Sequence, residues 1–241
     1  MADAVIFSDA HASDEDSAAV QRLLDFLAGP CAGARRVFIL GDLFDFWCGA
    51  KQAAFEPYRR ILDAISALRE RGAAVAFYHG NRDFYVDEKL AARYGFLLVR
   101  DCSTETICGR RVTLCHGDML CTNDVRYHLM RALLRNPVVA GVLTRLPAAF
   151  AMRLARGMRR RSARAVRSKA QWVVGINDDA VREEFRKGAD VVVCGHTHKE
   201  GRRLFDTPSG PREFYTLGDF GLSGSYLECA EGRLTLRTFP S

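Results

Sequence analysis

One short stretch near the end of the chain constrains its fold most strongly. Three β-branched residues and a cysteine, residues 191–194, predict a buried strand that stops at Gly195. His196 and His198 follow it, and side chains two positions apart point the same way in an extended backbone. Both imidazoles can therefore face one site beyond the strand end. Taken alone, the pattern is as compatible with a surface loop as with a pair of ligands.

The same arrangement recurs at four other places. Short apolar runs at residues 4–7, 37–40, 75–78 and 112–115 each stop at a polar residue, and these residues are Asp9 with His11, Asp42, Asn81 and His116. Helical spacing over 14–28 (after Ser13 as N-cap), 53–70 and 178–187 alternates with the strands. The alternation predicts an α/β fold with its functional loops at the carboxyl ends of the strands. Each polar residue could be a turn former, but five such ends in one chain favour a shared site.

Together these strand ends supply seven oxygen and nitrogen ligands, about the number that two divalent cations need when one carboxylate bridges them. The mixture of residue types suits Mn²⁺, Fe²⁺ or Zn²⁺ better than Mg²⁺ alone. Two such ions about 3.5–4 Å apart catalyse displacement at phosphorus. The candidate ligands are Asp9, His11, Asp42, Asn81, His116, His196 and His198. Supporting or structural roles are expected for Asp45, Asp83, Asp118, His79 and His128.

Composition limits the protein class. The length of 241 residues fits one large α/β domain with room for an insertion, and a content of 48% hydrophobic residues is ordinary for a globular protein. Eight scattered cysteines without a C-x-x-C pair predict a reduced cytoplasmic protein rather than a disulfide scaffold. The first residues have no basic segment and no apolar run approaches twenty residues, so neither a signal peptide nor a membrane-spanning helix is expected.

The net charge of +6 comes from one segment. Residues 125–177 contain no acidic residue but twelve of the 35 Lys and Arg, which leaves 23 basic against 29 acidic residues elsewhere. This segment is apolar in its middle and Arg-rich at its end, and it is predicted to be helical with breaks at Pro137 and Pro147. A basic, apolar insertion indicates an anionic partner such as a phosphorylated substrate, a lipid headgroup or nucleic acid.

Five short motifs at these strand ends resemble those of the calcineurin-like metallophosphoesterase superfamily across essentially the whole chain. They are Asp9-x-His11, Gly41-Asp42, Gly80-Asn81, His116-Gly117 and Gly195-His196-x-His198. The resemblance implies a four-layer αββα sandwich with an inserted helical cap, in which residues 1–124 and 175–241 form the core and residues 125–174 the cap. It implies that one metal is held by Asp9, His11, Asp42 and His198 and the other by Asp42, Asn81, His116 and His196. Arg82 stands where many members have a catalytic histidine, so a guanidinium would meet the transition-state charge.

Longer matches, over residues 41–47, 79–84 and 116–124, resemble the UDP-2,3-diacylglucosamine pyrophosphohydrolase family of lipid A biosynthesis. That family is described as Mn²⁺-dependent and peripheral to the cytoplasmic face of the inner membrane, and it releases UMP and 2,3-diacylglucosamine 1-phosphate. The resemblance implies two Mn²⁺ per chain, other divalent metals being possible, and a monomer that binds no nucleic acid. It assigns catalysis to Asp42, Asn81, Arg82, His116 and His196, and substrate binding to Asn81, Arg82, Asp124, Ser162, Lys169 and His196.

Three other functions fit parts of the sequence. A metallophosphoesterase acting on a soluble nucleotide or phosphodiester needs the same ligands but no apolar insertion. A nucleic-acid-binding protein or nuclease would use the Arg-rich stretch, although that stretch lacks the interleaved aromatic residues of a stacking platform. A metal-bearing scaffold without turnover would not need the complete ligand set.

Overall fold

The computed structural model describes residues 2–147, 150–154, 157 and 175–240. Within them, eleven strands form two sheets. The strands are β1 (Ala2–Phe7), β2 (Ala34–Ile39), β3 (Ala74–Tyr78), β4 (Leu97–Val99), β5 (Cys102–Ile107), β6 (Arg110–Cys115), β7 (Val191–Cys194), β8 (Gly201–Phe205), β9 (Arg212–Thr216), β10 (Ser225–Ala230) and β11 (Arg233–Thr238).

Helices lie in five of the ten connections between these strands. The α-helices are α1 (Ser17–Phe26), α2 (Tyr58–Glu70), α3 (Glu88–Tyr94), α4 (Val125–Leu134), α5 (Pro137–Arg145), α6 (Asp178–Arg186) and α7 (Phe220–Ser223). A π-turn at Leu27–Cys31 extends α1, and short 3-10 turns lie at Ala50–Ala54 and Asp118–Leu120.

The strand order brings the carboxyl ends of several strands to one edge of each sheet. In the first sheet the order is β11-β10-β1-β2-β3-β4, and β1 to β4 are parallel. In the second sheet the order is β5-β6-β7-β9-β8, and β6, β7 and β9 are parallel. Residues that follow β1, β2 and β3 therefore lie side by side, as do those that follow β6 and β7.

Alternation along β1 shows how the two sheets build the layers. Val5 and Phe7 pack against the helices that cover the first sheet, whereas Ala4 and Ile6 belong to the core between the sheets. A third core, which includes Val192 of β7, packs the other face of the second sheet against α6. The layers follow the order helix, sheet, sheet, helix, which confirms the predicted αββα sandwich.

Helices α1 and α2 begin at later residues than the sequence predicted. Helix α1 begins at Ser17 because the Asp16 side chain accepts a hydrogen bond from the Ala19 N–H at 2.9 Å, so the prediction of Ser13 as N-cap was wrong. Helix α2 begins at Tyr58 rather than near residue 53, after the 3-10 turn. The sequence also predicts a hairpin around residues 108–110, a strand at 214–217 and a closing hairpin over 226–239, which correspond to β5 with β6, β9, and β10 with β11. Strands β4 and β8 were not predicted.

The described part of the basic insertion is helical, as predicted. Asp124 caps α4, and Asn136 caps α5 with its side chain accepting from the Val138 N–H at 3.0 Å. Pro137 occupies the first turn of α5, where the missing N–H would lack a partner in any case. The predicted boundaries of the cap at 125 and 174 stay a prediction, since residues 158–174 lie outside the described part of the chain.

A disulfide joins the two sheets. Cys108, in the two-residue turn between β5 and β6, is bonded to Cys229 of β10. The expectation of reduced cysteines was therefore wrong at this pair. The turn extends from the second sheet over a strand of the first. The two cysteines are 121 positions apart in the sequence, so the sequence did not indicate that they are close.

Candidate metal centre

The polar residues that follow β1, β2, β3, β6 and β7 converge at one edge of the sandwich, and one group consists of Asp9, His11 and His198. The Nε2 atoms of the two histidines are 3.1 Å apart. Asp9 Oδ1 lies 3.7 Å from His11 Nε2 and 3.4 Å from His198 Nε2. One ligand atom from each residue lies within 4.8 Å of the others, so the three surround a point where one cation can bind.

A second group surrounds the side chain of Asn81. Its Oδ1 lies 2.9 Å from His116 Nε2 and 2.9 Å from His196 Nδ1, and these two nitrogens are 3.2 Å apart. His116 is held by its other nitrogen, Nδ1, which donates to the Leu40 carbonyl at 2.8 Å. That hydrogen bond leaves Nε2 of the same ring to act as a ligand.

Asp42 lies between the two groups and is 1% exposed. Its Oδ1 is 3.7 Å from His116 Nε2, and its Oδ2 is 4.0 Å from His11 Nδ1. One carboxylate oxygen thus faces each group, which is the geometry of a bridging ligand. Arg82 reaches the same carboxylate: its backbone N–H donates to Oδ1 at 2.9 Å, and its Nε lies 3.1 Å from Oδ2.

The backbone at the candidate ligands adopts a sparsely populated conformation. Among the described residues, seven other than glycine have a positive φ, and five of them are candidate ligands: Asp9 (56°), His11 (48°), Asp42 (51°), His196 (69°) and His198 (56°). The left-handed region costs an ordinary residue about 1–2 kcal/mol. Such residues cluster at functional sites, where the surrounding structure holds them in place.

Two glycines allow the strand ends to approach one another. A Cβ on Gly80 would overlap the Asp42 carboxylate, and a Cβ on Gly195 would overlap Ser8 Oγ and the Asp9 carboxylate. Both positions therefore need a residue without a side chain. The glycines that precede Asn81 and His196 in the sequence thus have a packing role at the site itself.

With this geometry established, comparison with known proteins identifies the family. Residues 4–200 match the family described as calcineurin-like phosphoesterase. The chain belongs to the calcineurin-like phosphoesterase family.

Two curated relatives match this phosphoesterase chain over nearly its full length. The UDP-2,3-diacylglucosamine hydrolase of Aeromonas salmonicida (strain A449) is 34% identical over 241 residues, covering 98% of this chain and 94% of the relative. The one from Stutzerimonas stutzeri (strain A1501) is 35% identical over 231 residues, with coverages of 94% and 95%. The crystal structure of a dimetal phosphatase from Danio rerio has a TM-score of 0.51 at 14% identity, covering 97% and 94% of the two chains, and shares the fold.

Membership of the calcineurin-like phosphoesterase family implies a dimetal site, and the side chains present fit one. Two buried atoms of the cluster, Asp9 Oδ1 and His11 Nδ1, have no hydrogen-bond partner. Buried polar atoms without partners are rare, and a coordinated cation would satisfy both. Carboxylate, imidazole and amide donors suit a borderline divalent metal. The residues that would hold the two ions are the seven candidate ligands.

The pKa values of three imidazoles follow from burial and from their neighbours. Burial lowers the pKa of His11 to about 3, and the positive charge of Arg82 adds to the effect. Burial likewise lowers the pKa of His196 to about 4. For His116, burial alone would lower the pKa, but the charge of Asp42 raises it. Metal binding requires neutral imidazoles, a state that His11 and His196 already hold at neutral pH.

The two buried carboxyl groups, Asp9 and Asp42, also differ in the direction of their pKa shifts. Burial alone would raise the pKa of Asp9, but the hydrogen bond with His198 and the charges of nearby histidines hold it well below its usual range. Burial raises the pKa of Asp42, and a bound cation would lower it again. Asp9 is therefore ionised before any metal arrives, whereas ionisation of Asp42 is favoured by the metal that it would bridge.

Sequence analysis missed two residues that orient the ligands. Asp219 Oδ2 lies 3.0 Å from His198 Nδ1, on the ring atom opposite to the one that faces Asp9. Ser8 Oγ donates to Asp9 Oδ2 at 2.5 Å. A signal for the first existed, because Gly218-Asp219 follows β9 in the same way that Gly41-Asp42 follows β2.

Other acidic residues near the site have supporting contacts. Asp83 accepts hydrogen bonds from the Leu43 N–H at 2.8 Å and the Gly80 N–H at 2.9 Å, which holds the β2 and β3 ends together. Asp118 accepts from Tyr127 Oη at 2.6 Å, and its Oδ2 lies 3.0 Å from Arg131 Nε. Asp45 lies 3.0 Å from Arg82 Nη1 and steadies that guanidinium.

Two further predictions concern histidines outside the cluster. His79 Nε2 donates to the Val86 carbonyl at 2.8 Å, and His128 Nε2 lies 3.1 Å from the Cys121 carbonyl. Both contacts are with backbone, in agreement with the structural roles expected of these residues.

Among the predicted substrate-binding residues, Asn81, Arg82 and His196 lie in the cluster. Asp124 is buried, and its side chain caps α4 by accepting from the Tyr127 N–H at 3.1 Å. Ser162 and Lys169 lie outside the described residues.

Proposed function

We propose that this protein hydrolyses the pyrophosphate bond of UDP-2,3-diacylglucosamine, releasing UMP and 2,3-diacylglucosamine 1-phosphate. The observation that carries the proposal is the pair of ligand groups on the two sides of the Asp42 carboxylate, in a chain whose full-length relatives are named for hydrolysis of this nucleotide-lipid. A pyrophosphate bond joins two phosphorus centres, each of which can undergo the displacement that dimetal sites catalyse.

When bound, two divalent cations supply an activated water and neutralise charge on the phosphoryl oxygens. The protein's own contribution begins with Asp42, whose carboxylate would bridge the ions, and with Asn81, His116 and His196 on one side of it. Arg82, held beside Asp42 and Asp45, can contact the phosphoryl group with a guanidinium whose charge is permanent. This residue stabilises negative charge in the transition state and does not act as a proton donor.

Two Mn²⁺ ions per chain are part of the proposal. The donor set includes three imidazoles that are buried or nearly so, which a Mg²⁺ site rarely contains. Other borderline divalent metals fit the same donors, so a metal titration with activity as its readout decides among them.

Helix α4 supports the assignment of a lipid substrate, because its amphipathic pattern is inverted. Two of its polar side chains, Tyr127 and Arg131, contact Asp118, and its C-cap residue Arg135 lies 3.6 Å from Asp101. Its apolar side chains are exposed, with Val125 at 71%, Leu129 at 73% and Leu133 at 61%. An exposed apolar stripe in a segment that is rich in arginine suits a molecule with acyl chains and phosphates.

We also propose peripheral attachment to the cytoplasmic face of the inner membrane, which the same stripe supports, together with a monomeric state. Among the described residues, no helix combines the length and the apolar character needed to cross a bilayer. Basic side chains near the stripe would add attraction to anionic lipids of about 1 kcal/mol each.

The test is a hydrolysis assay with purified protein, Mn²⁺ and UDP-2,3-diacylglucosamine in detergent, with UMP as the measured product. We expect UMP release by the wild-type protein and none above background by Asp42→Ala, because the loss of the bridging carboxylate loosens both ions. Asp63→Ala, which removes an exposed carboxylate on α2, is the matched control and should retain full activity.

Absence of UMP release by the wild-type protein would reject the substrate. An equal kcat/KM for a soluble phosphodiester such as bis-p-nitrophenyl phosphate, without dependence on detergent, would favour the soluble-substrate alternative. Retention of two bound metals and of the wild-type rate by Asp42→Ala would reject the proposed site.

A further inference from the structure

Two free cysteines lie opposite each other at the end of a β-ladder. Cys102 is the first residue of β5, Cys115 is the last residue of β6, and the register of the antiparallel pair sets them directly across from one another. Neither takes part in the proposed hydrolysis. The chain continues from Cys115 directly into His116, one of the candidate ligands.

The geometry of this ladder brings the two sulfur atoms together. The turn at Cys108 and Gly109 has positive φ at both residues, so Ile107 and Arg110 form its hydrogen-bonded closing pair. Pairs alternate along an antiparallel ladder, which makes Cys102 and Cys115 a non-hydrogen-bonded pair with Cα atoms about 4.5 Å apart. That separation falls within the range of about 4.4–6.8 Å found for disulfides.

The neighbouring cross-strand pair supports this closeness. Thr104 and Thr113 are the next pair on the same face, and their Oγ1 atoms are 3.0 Å apart.

The two thiols differ in access to solvent. Cys102 is exposed, whereas Cys115 is 3% exposed and packs in the core beneath α6. A small reagent can therefore reach the first sulfur, and the second is in position to react with whatever forms there. Among the free cysteines of the described residues, Cys102 alone is exposed.

We propose that Cys102 and Cys115 form a redox modification site whose oxidant is a small disulfide such as glutathione disulfide. The Cys102 thiolate attacks one sulfur of the oxidant, which forms a mixed disulfide and releases one thiol. Cys115 sulfur then attacks the Cys102 sulfur and releases the second thiol. Two protein thiols are oxidised to one protein disulfide, and one small disulfide is reduced to two thiols.

Closure of this disulfide affects the candidate metal centre. Cβ atoms in a disulfide are about 3.8 Å apart, whereas cross-strand Cβ atoms are about 4.5–5.5 Å apart. The bond therefore draws the end of β6 towards β5 and displaces His116, whose Nε2 lies 2.9 Å from Asn81 Oδ1. The effect on turnover rests on the proposed function, whereas the cross-link itself does not.

The experiment treats the Mn²⁺-loaded protein with glutathione disulfide and analyses its peptides by mass spectrometry without reduction. We expect a Cys102–Cys115 cross-link, a loss of UMP release of about 10-fold or more, and recovery of the activity with reduced glutathione. Cys102→Ser should prevent both the cross-link and the loss. Cys48→Ser, which removes another free cysteine that is not buried, should respond like the wild type.

If glutathione were attached to Cys102 and no cross-link formed, the proposal that Cys115 reacts with the mixed disulfide would be wrong. A cross-link that leaves the rate unchanged, or an equal loss of activity in Cys102→Ser, would overturn the effect on the metal centre. If the wild-type protein released no UMP at all, the proposed function would fail, and the mass spectrum would still decide whether the two cysteines join.

Discussion

At the scale of single residues, the candidate ligands divide their polar atoms between orientation and metal binding. Asp9 Oδ2 accepts hydrogen bonds from Ser8 Oγ and from the His196 N–H, and Oδ1 remains for the site. His198 likewise contacts Asp219 through Nδ1 and faces Asp9 through Nε2. Hydrogen bonds of this kind set the ring orientation and raise the basicity of the ligand atom.

Asp219→Asn tests this division at His198. The substitution keeps the shape of the side chain but removes its charge, so we expect Mn²⁺ affinity and activity to fall by about 10–100-fold. Metal titration followed by an activity assay measures both. Asp206→Asn, at an exposed position after β8, serves as the control and should leave both unchanged. An unaltered Mn²⁺ affinity in Asp219→Asn would show that His198 is oriented by other contacts.

At the scale of elements, the buried strands were the ones whose apolar runs could be recognised in the sequence. The end of β7 and the ends of β1 to β3 and β6 were predictable because each apolar run stops abruptly at a polar residue. Strand β8 is at a sheet edge and exposes Arg202, Arg203 and Leu204, so it has no buried pattern to detect. Strand β4 has only three residues. The contact between Asp219 and His198 arises because β9 pairs with β7, and the periodicity of the sequence does not reveal which strands pair.

Helix α4 carries the prediction for membrane attachment. Leu129→Glu and Leu133→Glu place charges on the exposed apolar stripe, where burial of each leucine in lipid contributes about 2 kcal/mol. We expect the double variant to lose binding to phosphatidylglycerol vesicles in a flotation assay. The matched control is Leu204→Glu, an exposed leucine of β8. Equal flotation of the double variant and the control would exclude this helix as the membrane contact.

At the scale of the whole molecule, the candidate metal centre spans both sheets. Asp9, Asp42 and Asn81 follow strands of the first sheet, and the histidines at 116, 196 and 198 follow strands of the second. Its geometry therefore depends on how the sheets pack against each other. The Cys108–Cys229 disulfide fixes one point of that packing, and the core between the sheets fixes the rest.

Removal of this disulfide should lower stability. A native disulfide that closes a long loop typically contributes about 2–4 kcal/mol, so we expect Cys108→Ser with Cys229→Ser to unfold at a lower urea concentration than the wild type without reductant. The difference should disappear when reductant is added to the wild type. Coincident unfolding curves without reductant would mean that the bond contributes nothing to the folded state.

The position of β1 has a consequence for the order in which the protein can be made. One edge of β1 pairs with β2, and the other pairs with β10, where Ala4 meets Cys229, 225 positions later. A nascent chain leaving the ribosome therefore carries β1 with an open edge until β10 has been synthesised, and such edges invite pairing with other chains. The first sheet, which holds the strand that precedes Asp9, is completed only after β10 and β11 have left the ribosome.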